Sequence, residues 1–139
     1  MSNRFDIMDQ IKNDITSHIK ASLGYNYTPI EVRRGRYNWS DFNEYPSLSF
    51  SLYREHPDDS MEGGEDVHWV YIEFRGHHKN DGYNTDYIYN LLDDLESFLQ
   101  SDDFTYSQYI HIDDILIKEG SISDSVNSFS MLTKIAYSI

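Results

Sequence analysis

The sequence predicts an α+β fold: an antiparallel or mixed β-sheet of about five strands packed by two helices, in the order α-β-β-β-α-β-β. Residues 47–52 and 69–74 alternate apolar side chains with serines or with more polar and aromatic side chains, which is the period of a strand with one buried face. Residues 5–23 and 88–99 instead repeat apolar side chains every three or four positions, the period of an amphipathic helix.

Length and composition indicate one domain, residues 1–139. A chain of 139 residues buries roughly two thirds of its unfolded surface in a single core. The sequence contains no cysteine, no apolar run near the ~20 residues that span a bilayer, and no apolar signal-peptide segment at its start, so we expect a soluble intracellular protein. The formal charge of −13 argues against nonspecific nucleic-acid binding, which depends on Lys and Arg.

The first helix is predicted over residues 5–23, and Gly24 suits the position after its end. A short strand is predicted over 28–34, and Gly35 ends it or begins a turn. The stretch 36–45 is interpreted as a loop. The apolar stripe of the helix consists of Ile7, Met8, Ile11, Ile15, Ile19 and Leu23.

Pro46 opens the second strand, where a missing N–H is tolerated. Residues 55–66 hold six acidic side chains and no Lys or Arg, so they are predicted to form a polar, mobile connection between two hairpin strands. A strand from Val67 to Arg75 follows, and residues 76–82 are interpreted as a linker rich in turn-forming residues.

The second helix is predicted to begin after a cap at Asn84 or Thr85. A strand over 109–118 carries Ile110 and Ile112 on one face and Ile115 and Ile117 on the other, which indicates a bulge near Asp113 and Asp114 or burial on both sides. A last strand follows a turn near Gly120. The helix is expected to bury Ile88, Leu91, Leu92, Leu95, Phe98 and Leu99 and to turn Asn90, Asp93, Asp94 and Glu96 to water; the last strand is expected to place Phe129, Met131, Thr133, Ile135, Tyr137 and Ile139 on one face.

Two groups of residues match known types of metal site only in part. His77, His78 and Asp81 carry donors that suit zinc or manganese, but the alternative is a solvated loop. Glu73 and Arg75 with upstream Asp66 resemble a nuclease site of the Glu-X-Lys kind, with arginine in the place of the lysine. We assign no catalytic residue, no metal and no cofactor, and we keep a metal-dependent nuclease using Glu73 with Asp66 or His77 as a lesser alternative.

Charges are segregated along the chain. Asp113 and Asp114 interrupt an apolar strand, which is typical of an edge strand protected from unwanted pairing or of a charged assembly surface. Basic strand ends and acidic loops allow head-to-tail docking of copies, unless the arginines only neutralise local acids. The predicted interface consists of Arg33, Arg34, Arg36, Arg54, Glu55, Asp58, Asp59, Glu62, Glu65, Asp66 and Arg75.

An alternative hypothesis assigns the function to the acidic surface. Carboxylates spaced along a helix imitate phosphates, so the chain could be an inhibitor or DNA mimic that occupies a nucleic-acid enzyme of the host. The carboxylates concerned are Asp93, Asp94, Glu96, Asp102 and Asp103.

In element order, size and acidic character, from Ile7 to Ile139, the chain resembles the tail terminator, or tail completion, proteins of long-tailed bacteriophages. The resemblance implies a homo-hexameric ring that caps the tail tube, ends its polymerisation and offers the surface for head-tail joining. Its partners would be its own copies, the tail tube protein and a neck or connector protein, with DNA only passing through the lumen and no membrane. It implies a place in the tail or neck of the virion, after assembly in the host cytoplasm. Related neck and head-tail joining proteins share much of this layout.

Overall fold

The computed structural model describes residues 4–22, 31–35, 47–58, 67–79, 86–118 and 126–138, and it confirms the α+β class and the predicted element order. The elements are α1 (Arg4–Ser22), β1 (Glu31–Arg34), β2 (Ser47–Asp58), β3 (Val67–Lys79), α2 (Asp86–Leu99), β4 (Ile110–Lys118) and β5 (Val126–Ser138).

The five strands form one mixed sheet in the order β1-β2-β3-β5-β4. β1 pairs with β2 in parallel, and the other pairs are antiparallel. Among the described strands, β1 and β4 therefore lie at opposite edges. β1 reaches only as far as Phe50 of its partner, so β2 from Ser51 onward is the outermost described strand on that side.

Both helices pack on one face of the sheet, because their apolar stripes join the same core cluster as the inward residues of the strands. Cross-strand partners share a face, and one row of this face crosses four strands through Phe50, Phe74, Met131 and Ile115. We call the opposite surface the helix-free face. The predicted inward residues of α2 are all buried, whereas Asp94 and Glu96 are half-buried rather than fully exposed.

Strands β2 and β3 are longer than predicted, which corrects two boundaries. Residues 55–58 belong to β2 and not to the predicted connection, because Glu55 pairs with Val70 and Asp58 pairs with Val67. Residues 76–79 belong to β3 and not to a linker, because Gly76 pairs with both Leu48 and Phe129. Backbone pairing with the neighbouring strands thus outweighs the polar and glycine-rich composition of these two segments.

Gly76 is required by a close approach rather than by a turn. The buried Phe129 ring of β5 lies directly over it, and a Cβ at position 76 would overlap that ring. A glycine inside a strand commonly marks such a contact.

The predicted bulge in β4 is confirmed. The register between β4 and β5 shifts between Ile112 and Asp114, opposite consecutive residues of β5. The extra residue brings Ile115 to the core side with Ile112, although a strict alternation would have separated them. The prediction that Ile115 and Ile117 lie on the face opposite to Ile110 and Ile112 is therefore wrong for both residues, because Ile115 pairs with Met131 and Ile117 pairs with Phe129, two residues of the core.

Several predicted features lie outside the described residues. They are the strand start at 28–30, Gly24, the loop 36–45, the caps at Asn84 and Thr85, Asp81, the turn near Gly120, and the interface residues Arg36, Asp59, Glu62, Glu65 and Asp66.

Candidate functional site

Three of the predicted interface arginines lie at one side of the sheet, which we call the basic edge: Arg33, Arg34 and Arg54. Arg34 is half-buried beside α1, where its Nη1 donates to Asp9 Oδ1 at 3.1 Å and its guanidinium carbon lies 5.2 Å from the centre of the Phe5 ring. Arg33 pairs with Ser49 and so projects on the helix-free face. Arg54 stacks over the Tyr71 ring at 4.3 Å, on the outermost part of β2.

The opposite side of the sheet carries two carboxylates and exposed apolar side chains on β4. We call it the acidic edge and define it by Asp113, Asp114, Leu116 and Ile117; the exposed Lys118 ends the same strand. Asp113 Oδ1 lies 3.9 Å from Lys134 Nζ on β5. Asp114 Oδ1 accepts a hydrogen bond of 3.0 Å from the next backbone N–H. Both carboxylates are exposed at the bulge, which fits the predicted edge strand.

Large apolar side chains that stay exposed are concentrated near these two edges. At the acidic edge Leu116 is 65% exposed and Ile117 is 45% exposed, and the residue before β4, Tyr109, is 55% exposed. Near the basic edge Phe5 is 62% exposed. Leu52 and Tyr53 are also exposed, at the bulge of β2. Exposed apolar groups that cluster in this way are typical of contact surfaces.

Arg75, the fourth predicted arginine in the described part of the chain, lies at the centre of the helix-free face. Its Nε donates to Glu73 Oε1 at 2.7 Å, and the Ser130 hydroxyl donates to Glu73 Oε2 at 3.2 Å. Glu73 is thereby held by two neighbours and is 14% exposed in its side chain. Glu73 is therefore positioned as an ion-pair partner of Arg75. Asp66, which the nuclease alternative pairs with Glu73, lies outside the described residues.

His77 lies inside β3 and not on the predicted loop. It is buried between Ser47 of β2 and Ser128 of β5. Burial and the nearby Arg75 charge lower the pKa of His77 from 6.5 to about 4, so the imidazole is neutral at pH 7. A cavity of about 230 Å³ adjoins it on the side of β4, lined in part by Arg75, Leu116 and Lys118.

Glu55 takes part in contacts within the chain. Its carboxylate forms an ion pair with Arg4 at the start of α1, and Oε1 lies 2.6 Å from His68 Nδ1. The arrangement ties α1 to the β2–β3 hairpin. Asp58, the other predicted interface acid described here, is the last residue of β2.

The carboxylates proposed to imitate phosphates lie in and after α2. Asp93, Asp102 and Asp103 are exposed, and Asp94 and Glu96 are half-buried. The turn that carries Asp102 and Asp103 is fixed because the Ser101 hydroxyl donates to Phe98 O at 2.8 Å and Phe104 is buried.

Within the described ranges, no group of three or more His, Asp or Glu side chains is placed to hold a metal ion. The same part of the chain holds no helix that is both long enough and apolar enough to cross a membrane. No protein-family model matches the chain, and no curated protein matches it significantly.

The sequence predicted charged residues at the interface but not the exposed apolar side chains beside them. Phe5 gives no separate signal, because it belongs to the first turn of an amphipathic helix. The exposed pair on β4 did have a signal, since consecutive Ile115, Leu116 and Ile117 cannot all face one core in an edge strand.

Proposed function

We propose that this protein is a virion assembly subunit that forms a ring, of the tail terminator or tail completion type. The observation that carries the proposal is the placement of both helices on one face of a single sheet whose two edges are different strands, β1 with Arg33 and Arg34 and β4 with Asp113 and Asp114. Such a subunit presents different surfaces at its two sides. Contacts between unlike surfaces produce closed rings when the rotation between copies closes.

The charge of the chain suits a channel for DNA. The net charge of −13 repels phosphates, and three of the described arginines, Arg34, Arg54 and Arg75, contact Asp9, the Tyr71 ring and Glu73. A lumen of such subunits would let duplex DNA pass without adhering to it.

In this proposal the ring is a homo-hexamer in the tail or neck of a long-tailed bacteriophage, assembled in the host cytoplasm. One surface contacts the tail tube protein, and another receives the neck or head-tail connector protein. The resemblance in element order supports this assignment, since the confirmed order is the one on which the resemblance depends.

Tube polymerisation in vitro tests the function. The tail tube protein of the phage that encodes the chain is polymerised with increasing amounts of this protein, and tube lengths are measured by electron microscopy. We expect shorter tubes as the ratio of this protein to tube protein rises, because each capped end stops growing. Tube lengths that do not change at a molar excess over tube ends would contradict the proposal.

A second candidate, an acidic inhibitor or DNA mimic, is favoured by the exposed Asp93 within α2 and the exposed Asp102 and Asp103 in the turn that follows it. Fixed carboxylates in a stable turn are suited to a cationic groove. Competition with a DNA duplex for a host nuclease or polymerase distinguishes it. Loss of competition on neutralising the three aspartates would support the inhibitor, and failure to recover any such enzyme from host lysate would exclude it.

A further inference from the structure

We propose that the cavity on the helix-free face binds a small organic oxyanion, a carboxylate or a phosphate monoester carried on a short apolar group. This inference goes beyond the proposed function and does not depend on it. The described residues that line the cavity supply cations, hydrogen-bond donors and apolar side chains, but no carboxylate.

The cavity lies where β3, β5 and β4 run side by side. His77 of β3 pairs with Ser128 of β5, which in turn pairs with Lys118 of β4. The next row joins Arg75 to Leu116 through β5. Cross-strand partners share a face, so both rows contribute to one site. Its volume of about 230 Å³ is below the roughly 300–1,000 Å³ of pockets for drug-sized ligands, which limits the ligand to a small molecule.

Two cations line this cavity in a chain whose net charge is −13. Arg75 uses Nε for its ion pair with Glu73, and its guanidinium makes no other hydrogen bond among the described residues. The terminal nitrogens Nη1 and Nη2 can therefore grip an oxyanion with two parallel hydrogen bonds. Lys118 adds an exposed positive charge at the end of β4. The acids Glu73 and Asp114 line a separate, smaller cavity one row away.

A positive potential reaches the wall of the cavity. Burial and, to a smaller extent, the charge of Arg75 lower the pKa of His77 to about 4. Since the Arg75 charge disfavours a proton on His77, the same charge favours an anion bound beside them. The half-buried Ser128 adds a hydroxyl that can donate to the anion without adding charge.

The apolar part of the lining indicates that the ligand is more than an inorganic ion. Leu116 is 65% exposed and Ile117 is 45% exposed, and both line the cavity. A ligand with a ring or a short hydrocarbon chain would cover them, and the burial of apolar surface would add to its affinity. Small-molecule sites commonly combine apolar walls with a few charged or polar groups in this way.

Titration by NMR at pH 7 and constant ionic strength tests the site with four compounds: benzoate, phenyl phosphate, benzamide and acetate. We expect benzoate and phenyl phosphate to shift the amide signals of the residues that line the cavity, with saturation, and the tighter of the two identifies the preferred anionic group. Benzamide lacks the charge and should bind at least about tenfold more weakly than benzoate. Acetate lacks the ring and should also bind more weakly. Equal affinities for benzamide and benzoate would overturn the inference.

Three variants separate the parts of the site. Arg75→Lys keeps a cation beside Glu73 but removes the planar fork, so affinity for benzoate should fall about tenfold. Lys118→Gln removes an exposed charge and should weaken it about threefold. Leu116→Ala should weaken benzoate binding and leave acetate binding unchanged. The matched control is Lys12→Gln, an exposed site on α1 that loses the same charge and should bind as the unmodified chain does.

Urea midpoints of each variant establish that it is folded before it is titrated. If Arg75→Lys fails to fold, the exposed positions 116 and 118 still test the site. Benzoate affinities that are the same in Lys118→Gln, Leu116→Ala and Lys12→Gln would overturn the inference. Amide shifts that are spread over the whole chain and do not saturate would do so as well.

Discussion

Gly76 and His77 are neighbours in β3 whose positions face opposite sides of the sheet, and each is constrained by what lies across from it. On the helix side the Phe129 ring occupies the space that a side chain at position 76 would need. On the helix-free face, serines flank His77 in both neighbouring strands. The small partners leave room for a buried neutral imidazole.

Gly76→Ala should lower the free energy of unfolding by about 1–3 kcal/mol, because the new methyl group overlaps a buried ring that has little space to move. Urea denaturation measures the change. The double variant Gly76→Ala with Phe129→Leu should lose less than the sum of the two single changes, since the smaller side chain relieves the overlap. Strictly additive losses would show that the ring is not the obstacle.

The stability of the domain should depend on pH through His77. The unfolded chain binds a proton with a pKa near 6.5, but the folded chain does so only at about 4. Protons therefore favour the unfolded state, and stability falls as pH drops from 6.5 toward 4, by up to about 3 kcal/mol from this residue. The stabilising contribution is fully present above pH 6.5.

His77→Gln should flatten that part of the pH profile relative to the unmodified chain, as followed by urea midpoints at several pH values. His111→Gln is the matched control, because His111 is exposed on β4. Equal slopes for His77→Gln and the unmodified chain between pH 4 and 6.5 would contradict the assigned burial effect.

At the scale of elements, α2 supplies a large part of the core that covers the sheet. It packs on β3 and β5, and its inward residues Ile88, Leu95 and Leu99 are almost fully buried. Much of the folding free energy therefore depends on one amphipathic helix, because burial of such side chains contributes about 1.5–3 kcal/mol each.

Leu95→Asp should unfold the domain or lower its free energy of unfolding by at least about 3 kcal/mol. The change buries a carboxylate in an apolar core and removes a core side chain. Circular dichroism with thermal unfolding measures the loss. Asn90→Asp introduces the same residue on the exposed side of α2 and should change stability by less than about 0.5 kcal/mol. Similar losses for both variants would contradict the assigned orientation of the helix.

The type of an element was predictable from the sequence where buried residues recur with a regular period. The ends of the strands were less predictable, because pairing with other strands determines them. The stripes of α1 and α2 and the alternation of β5 determine their type because each presents one face to one core. The ends of β2 and β3 were missed because cross-strand pairing keeps even acidic residues and Gly76 in the sheet. Local composition contains no signal for a partner strand that lies far away in sequence.

The sequence predicted which charged residues belong to the candidate site, but not where the fold places them. Segregated charges in the sequence indicated an assembly surface, and Arg33, Arg34 and Arg54 do lie at one side of the sheet. Arg34, Arg75 and Glu55 each form an ion pair within the chain. Only the strand order places Arg33 and Asp114 at opposite edges, and that order depends on long-range contacts.

At the scale of the whole molecule, the sheet has different surfaces in every direction that matters for assembly. The helices cover one face, a cavity opens on the other, and the two edges are different strands, β1 and β4. A subunit with unlike edges joins copies in one direction only. The proposed ring requires unlike surfaces of this kind on the two sides of each subunit.

The central claim is that such a ring caps a phage tail tube, and electron microscopy of the purified protein mixed with preformed tail tubes tests it most directly. We predict a six-fold ring at one end of each tube and none along its sides. Tube ends without added density at saturating protein, or density distributed along the tube, would contradict the account.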